Sequence, residues 1–178
     1  MLIMNEKLKN EALSRLSINE FKSANKQPII VVLDNVRSLN NVGSAFRTAD
    51  AFLIEEIILC GLTGTPPNKE IEKTALGASS SVKWSYFQNT LDAISKLKQL
   101  GFKTFAIEQA QNSIKLNSFK STYKKIAIIF GNEIYGVDQE VINHCEGVIE
   151  IPQTGTKHSL NISVSIGIVL WELMRHKI

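Results

Sequence analysis

Three polar clusters in this 178-residue chain hold the residue types from which a site can be built. The first runs from Asn41 to Arg47. The second is Gly131-Asn132-Glu133, with Gly136 three residues beyond Glu133. The third lies within residues 149–163, Ile-Glu-Ile-Pro-Gln-Thr-Gly-Thr-Lys-His-Ser-Leu-Asn-Ile-Ser, and contains Ser159 and Asn161. Each stands where an apolar, strand-like run hands over to a helix-like one. Such a junction leaves backbone N–H and C=O groups pointing at one spot, which is how α/β proteins make ligand sites at the carboxyl ends of their strands. Taken singly, each cluster also has an ordinary structural reading. Arg47 reads as a solvated helix arginine, Asn132 and Glu133 as a turn and a helix-start acid, and Ser159 as a cap with Asn161 beside it. Those readings leave unexplained why all three lie at strand-to-helix junctions.

Several chemistries are excluded by what is missing. There is no lysine-bearing phosphate loop and no Gly-x-Gly-x-x-Gly after the first strand, which argues against a nucleotide triphosphatase and against a dehydrogenase. No His or Cys pair has zinc-ligand spacing, so no metal is expected. A Ser-His-Asp hydrolase needs a nucleophile elbow, and none is present. His158 reads as a loop residue; His144 and His176 stand near helix ends, where a cation is welcome.

The elements that must position the clusters follow from apolar periodicity. Residues 5–16 place Leu8, Ala12 and Leu16 on one helical stripe, and Ser17-Ile-Asn-Glu20 matches a capping box for a second short helix. Residues 1–27 therefore read as an appended helical arm, and residues 28–178 as one domain. Residues 29–33 are wholly apolar, the mark of a strand buried on both faces of a parallel sheet. A helix capped by Asn40 or Asn41 should follow to about Phe52, with Val42, Phe46, Ala49 and Leu53 in the core. Its polar face carries Asn40, Gly43, Ser44 and Arg47. Gly43 there implies either a ligand or a tight packing contact close to the helix.

Further strands are expected at 56–60, 82–87, 102–107, 126–130 and 147–151, and helices at 69–76, 90–100 and 138–145. Pro152 has no N–H and should end the last strand, with Ser159 capping what begins next. The tail is ambiguous. Ile162, Val164, Ile166 and Ile168 alternate like a strand, while Ile162, Ile166, Val169 and Leu173 share a helical stripe; length and the capping serine favour a helix. Strands alternating with helices give the class α/β, with a mostly parallel sheet flanked by helices.

The net charge of +3 is too small to prove a nucleic-acid partner. Seven lysines between Asp92 and Lys125 face only Asp92 and Glu108, which reads as a solvated face or a phosphate-facing patch. Cys60 and Cys145 make no disulfide framework and fit small buried hydrophobes in a reducing cytoplasm. No apolar run approaches membrane-spanning length.

Taken together in order and spacing, the clusters resemble the three motifs of the SpoU/TrmH family of RNA ribose 2'-O-methyltransferases, part of the SPOUT superfamily. The matches are Asn-Asn-Val-Gly-Ser-Ala-Phe-Arg-Thr-Ala-Asp-Ala-Phe (40–52), Ile-Phe-Gly-Asn-Glu-Ile-Tyr-Gly-Val (129–137) and Ile-Pro-Gln-Thr-Gly-Thr-Lys-His-Ser-Leu-Asn-Ile-Ser-Val-Ser (151–165), with Thr-Ala-Leu-Gly-Ala (74–78) as a further piece. Two positions depart from the pattern: Ile134 stands where the family usually has glycine, and Gln153 where it often has methionine.

The resemblance implies a SPOUT-type fold whose last strand and helix thread a deep trefoil knot. It implies S-adenosylmethionine as cofactor, a tRNA or rRNA substrate, and a homodimer whose sites combine both subunits. Carried over, Gly131, Ile151, Leu160, Ile107 and Glu108 are expected to hold the cofactor. Arg47, Asn41, Glu133, Ser159 and Asn161 are the expected catalytic set, with Arg47 reaching the site of the neighbouring protomer. An inactive RNA-binding protein on the same fold is the competing reading.

Overall fold

Ile29 to Asp34 are buried without a break, because their strand lies inside a sheet with a neighbour on each side. The computed structural model describes residues 5–120 and 122–175. In chain order the elements are α1 (Ile18–Ser23), β1 (Gln27–Asp34), α2 (Leu39–Ala51), β2 (Ile54–Cys60), α3 (Lys69–Ala75), α4 (Ala78–Ser81) and β3 (Trp84–Phe87). They continue with α5 (Thr90–Gln99), β4 (Lys103–Ile107), β5 (Ile114–Lys115), β6 (Ile126–Phe130), α6 (Gln139–Asn143), β7 (Gly147–Glu150) and α7 (Ile162–Met174).

The seven strands lie in the order β3-β2-β1-β6-β4-β7-β5. Every strand pairing is parallel; Val31, for instance, stands opposite Ile57 on one side and Ile128 on the other. Successive residues of a strand face opposite sides of the sheet. Ile29, Val31 and Leu33 therefore pack with Phe46 of α2, Ile71 of α3 and Ile166 and Leu170 of α7, while Ile30 and Val32 pack with Ile94 and Leu97 of α5 and Val141 of α6. The result is three layers with a core on each side of the sheet.

Several expectations change. The stripe at residues 5–16 forms only a 3-10 turn at Asn10–Ala12; Leu8 and Leu16 are exposed, so the stripe finds no surface to bury against. The capping box at Ser17 and Glu20 forms as expected, and Phe21 anchors α1 in the core with Lys26 above its ring. Helix α2 is capped by Ser38, not by Asn40 or Asn41, its side chain accepting from Asn41 N at 3.3 Å. The tail is a helix whose buried set, Ile162, Ile166, Val169, Leu170 and Met174, has helical spacing. Its cap is Asn161 rather than Ser159. Strand β5 and helix α4 were not anticipated. The close approach at Gly43 is a packing contact: a Cβ there would lie 2.1 Å from Thr74 Oγ1 and 2.2 Å from the Ile71 carbonyl oxygen of α3.

Candidate active site

Strands β6, β4 and β7 are neighbours, so the loops leaving their carboxyl ends emerge side by side. Residues from 107–111, 130–143, 151–153 and 158–162 line a cleft of about 1030 Å³ between them. The strand order, more than any single motif, brings these distant segments together.

The loop after β6 is held from within. Asn132 Oδ1 accepts the N–H groups of Ile134 (2.9 Å) and Tyr135 (3.2 Å), and Asn132 and Gly136 exchange backbone hydrogen bonds at 2.9 Å. Such doubling back leaves no room at Gly131, where a Cβ would lie 2.1 Å from the Gly136 carbonyl carbon and from Val137 N. The turn takes its left-handed residue at Gly136 (φ +70°), so Ile134 in place of a glycine needs no positive φ. The loop is also tied outward. Asn132 Nδ2 donates to the Asn35 carbonyl at 2.8 Å, and the Glu108 carboxylate accepts from Val137 N (3.1 Å) and Gln109 N (2.8 Å).

The loop after β7 is the opposite case. Pro152 ends the ladder, and among the described residues the backbone N–H groups of 153–160 meet no protein acceptor. Within 153–160, Gln109 Nε2 donates to the His158 carbonyl at 2.5 Å. Backbone polar groups must be satisfied somewhere; these are left for water or a ligand.

A carboxylate joins the three clusters. Glu133 accepts from Arg37 N (3.0 Å), Ser38 N (2.9 Å) and Asn41 Nδ2 (3.0 Å). Asn41 Oδ1 in turn accepts from Asn161 Nδ2 at 3.3 Å, and Asn161 Oδ1 accepts from Ser163 N at 2.9 Å. Burial by itself would raise the Glu133 carboxyl, but the hydrogen bonds from Arg37, Ser38 and Asn41 outweigh it and hold the group below its ordinary value.

Each residue expected of the site can now be placed. Ile107, Glu108, Gly131, Ile151 and Leu160 all line the cleft, as do Glu133, Ser159 and Asn161. The Glu108 carboxylate is already engaged with backbone N–H groups. Ser159 makes no side-chain hydrogen bond to a described residue. Asn41 joins the site through Glu133 and Asn161 without lining the cleft. Arg47 does not line it either; it is exposed on α2 and makes no ion pair or hydrogen bond with a described residue. Sequence reasoning passed over Tyr135 and Arg37. For Tyr135 the available signal was an aromatic side chain inside a polar turn.

Other groups fall outside this chemistry. Burial pushes the Cys60 thiol up to about 12 and that of Cys145 to about 11, so neither is a ready nucleophile. The seven lysines between Asp92 and Lys125 are exposed, and two of them pair locally, Lys103 with Glu146 and Lys115 with Glu150. His144 Nδ1 lies 2.8 Å from the Glu140 carbonyl, and His176 lies outside the described residues. Among the described residues no group of three or more His, Cys, Asp or Glu could hold a metal, and no helix is long and apolar enough to cross a membrane.

Comparison with known proteins gives a consistent setting. The model of the SpoU rRNA Methylase family matches residues 28–171. An uncharacterized tRNA/rRNA methyltransferase of Borreliella burgdorferi is 32% identical over 174 residues, covering 96% of this chain and 74% of that protein. A tRNA (guanosine(18)-2'-O)-methyltransferase of Thermus thermophilus is 30% identical over 167 residues, 92% of this chain and 83% of that one. Among solved structures, the AdoMet-bound rRNA methyltransferase from Sinorhizobium meliloti superposes with a TM-score of 0.81 at 30% identity. That match covers 86% of this chain and 58% of the other, so the chain spans under two thirds of that protein.

Proposed function

The chain belongs to the SpoU rRNA Methylase family, and from that we propose that it transfers a methyl group from S-adenosylmethionine to a ribose 2'-hydroxyl of tRNA or rRNA. One observation carries the reading: Glu133, Asn41 and Asn161, far apart in sequence, are hydrogen-bonded to one another at the edge of one cleft. A purely structural account of each residue gives no reason for them to meet there.

The cleft suits the cofactor on its own terms. Ile107, Ile142, Val148, Ile151 and Leu160 supply apolar walls for a flat base, and unspent backbone groups in 153–160 supply hydrogen bonds for its edge. In this reading Gly131, Ile151 and Leu160 offer backbone groups and Ile107 a wall. Glu108 acts one step back, gripping the loop at Val137. The cofactor, when bound, supplies an electrophilic methyl carbon on a sulfonium whose departure as a neutral thioether calls for no metal.

The protein's task is then to hold the attacking hydroxyl. The Ser159 hydroxyl lies at the cleft with no partner among the described residues, and the Asn161–Asn41 pair fixes the amides beside it; together they position the ribose. Arg47 has the charge and the fork for a phosphate. A guanidinium stays protonated and is a poor base, so its part is to hold the adjoining phosphate and stabilise negative charge growing on the 2'-oxygen, whose proton leaves to solvent water as the methyl carbon passes from sulfur to oxygen. Because Arg47 does not line the cleft of its own chain, the reading takes it from the other subunit of a homodimer. In support, α7 presents Val164, Ile168 and Trp171 to solvent at 49%, 37% and 54% exposure, an apolar stripe with i, i+4, i+7 spacing.

The reading extends to the trefoil knot. In support, β7 lies between β4 and β5, which are consecutive in the chain. Residues 28–178 are taken as the catalytic domain and 1–27 as an arm, working in the cytoplasm.

Titration calorimetry with S-adenosylmethionine is the first test, followed by transfer of its labelled methyl group to tRNA and rRNA and mapping of the modified ribose. Absence of cofactor binding would favour an RNA-binding protein without catalysis, and label on a base would exclude 2'-hydroxyl transfer. Arg47→Lys keeps the charge and loses the fork. Its turnover should drop about 10-fold or more with cofactor affinity unchanged, and turnover near wild type would remove the bidentate role. Trp171→Glu should sediment as a monomer.

A further inference from the structure

Of the three tyrosines, two are engaged within the fold. The Tyr86 hydroxyl donates to the Gly61 carbonyl at 3.0 Å, and the Tyr123 ring packs 5.8 Å from that of Phe105. Tyr135 is 86% exposed, and neither its hydroxyl nor its ring has a partner among the described residues. Ile134 beside it is 68% exposed. Two large side chains left in water in succession at the rim of a cleft form an exposed apolar patch of the kind that marks a binding surface.

The loop that carries them is not slack. Both N–H groups are taken by Asn132 Oδ1, the Asn132–Gly136 pair closes the turn, and Glu108 holds Val137 behind it. The ring is therefore presented on a fixed pedestal, with little ordering left to do on binding. Both residues line the cleft. The charge nearby favours an anion. Arg37 donates its backbone N–H to Glu133, two residues before Tyr135, while its guanidinium is exposed and has no partner among the described residues. Lys157 is exposed in the facing loop after β7. A rigid aromatic face with cations on adjoining segments matches unpaired RNA, in which bases stack on aromatic rings and phosphates meet arginine or lysine.

We propose that Tyr135 is a stacking platform for an unpaired base of the RNA substrate, with Arg37 holding the adjoining phosphate. The proposal rests on the reading of the cleft as an RNA methyltransferase site, and assigns this loop a part in choosing single-stranded targets.

The test measures fluorescence anisotropy of two probes at fixed salt, a short single-stranded oligoadenylate and an RNA of equal length lacking its bases. Tyr135→Ala in the full chain should weaken oligoadenylate binding about 5- to 150-fold, the span of stacking contributions per base. Tyr135→Trp should keep wild-type affinity, and the base-free probe should not distinguish wild type from Tyr135→Ala. Arg37→Gln should weaken both probes alike and lower the slope of log affinity against log salt by about 0.7.

Wild-type affinity for oligoadenylate in Tyr135→Ala would overturn the proposal. So would equal loss on the base-free probe, failure of the wild-type protein to bind oligoadenylate, or an altered sedimentation of Tyr135→Ala, which would make the loop a contact between copies. Failure of the wild-type protein to bind S-adenosylmethionine would instead bring down the methyltransferase reading, and the comparison of the two RNA probes would stay readable on its own.

Discussion

Past the carboxyl ends of β1 and β2 the loops close on themselves. Asp34, 2% exposed, accepts from the Thr90 hydroxyl at 2.6 Å and from the Asn35 amide at 2.9 Å. The Thr63 hydroxyl donates to the Leu33 carbonyl at 3.0 Å and accepts from Val36 N at 2.9 Å, and Asn35 Oδ1 takes Leu62 N at 3.0 Å. What remains there is an acidic recess of about 270 Å³. Past β4, β6 and β7, on the same edge of the same sheet, the cleft is several times larger, and the backbone N–H groups of 153–160 meet no acceptor among the described residues. Both regions are strand-to-helix junctions rich in Asn, Asp, Ser and Thr. They differ in whether the side chains consume the local backbone groups or brace loops that leave those groups open. A polar junction is thus a site only where the protein has not satisfied it internally.

Gly131→Ala should break the open region outright. The added methyl meets the backbone of Gly136 and Val137, which cannot rotate aside, and the turn that faces the cleft must open. Affinity for S-adenosylmethionine should fall about 100-fold by calorimetry, in keeping with the cost of overpacking a tight site. Near-normal affinity would place the cofactor elsewhere.

Glu133 links the two regions, since its carboxylate reaches from the cleft to the start of α2. Glu133→Gln keeps the shape but leaves one acceptor oxygen for donors that now use two. Turnover should fall about 10- to 100-fold through misplacement of the Asn41–Asn161 pair, with a smaller loss of cofactor affinity. The pH dependence has a definite sign. Hydrogen bonds hold the folded-state carboxyl below its ordinary value, so its stabilising contribution is complete above the unfolded-state pKa and is lost as pH falls through the folded one. In urea melts, wild type should therefore exceed Glu133→Gln most near neutrality, and the gap should narrow in acid. A gap that widened in acid would contradict the hydrogen-bonded carboxylate.

These residues also mark how far the fold could be read in advance. The run at 29–33 identified a central parallel strand because burial on both faces leaves no polar position. The start of α2 was misplaced because Ser38, Asn40 and Asn41 are all competent caps. Ser38 is selected when Glu133, 95 residues away, takes its N–H, which no local window contains. Strand β5 consists of two exposed residues paired only to β7, so nothing local announces it. The stripe at residues 5–16 had the right period and no surface to pack on. For the site, motif order against a known family put the right segments on one list. Their convergence depends on β4 lying between β6 and β7, an order not implied by sequence adjacency.

The smallest effect on chemistry is expected in the closed region, and it is the most direct check on the contrast. Asp34→Ala strands the Thr90 hydroxyl, 4% exposed, without its acceptor and removes the anchor of Asn35. A buried donor left unpaired costs about 1–3 kcal/mol, so the urea midpoint should drop accordingly. Affinity for S-adenosylmethionine should stay within about twofold, because the hydrogen bonds lost belong to loops that already satisfied themselves. The damage could spread by Asp138 N, which donates to Asp34 Oδ2 at 3.5 Å beside the cleft residue Val137, and by the Asn35 carbonyl, which receives Asn132 Nδ2. Asn35→Gly separates the second route from the acid itself: it deletes the side chain, keeps the carbonyl and suits the φ of +54° at this position. If Asp34→Ala lowers cofactor affinity tenfold while Asn35→Gly does not, the buried acid works on the cleft directly, and the sheet edge is one site rather than two.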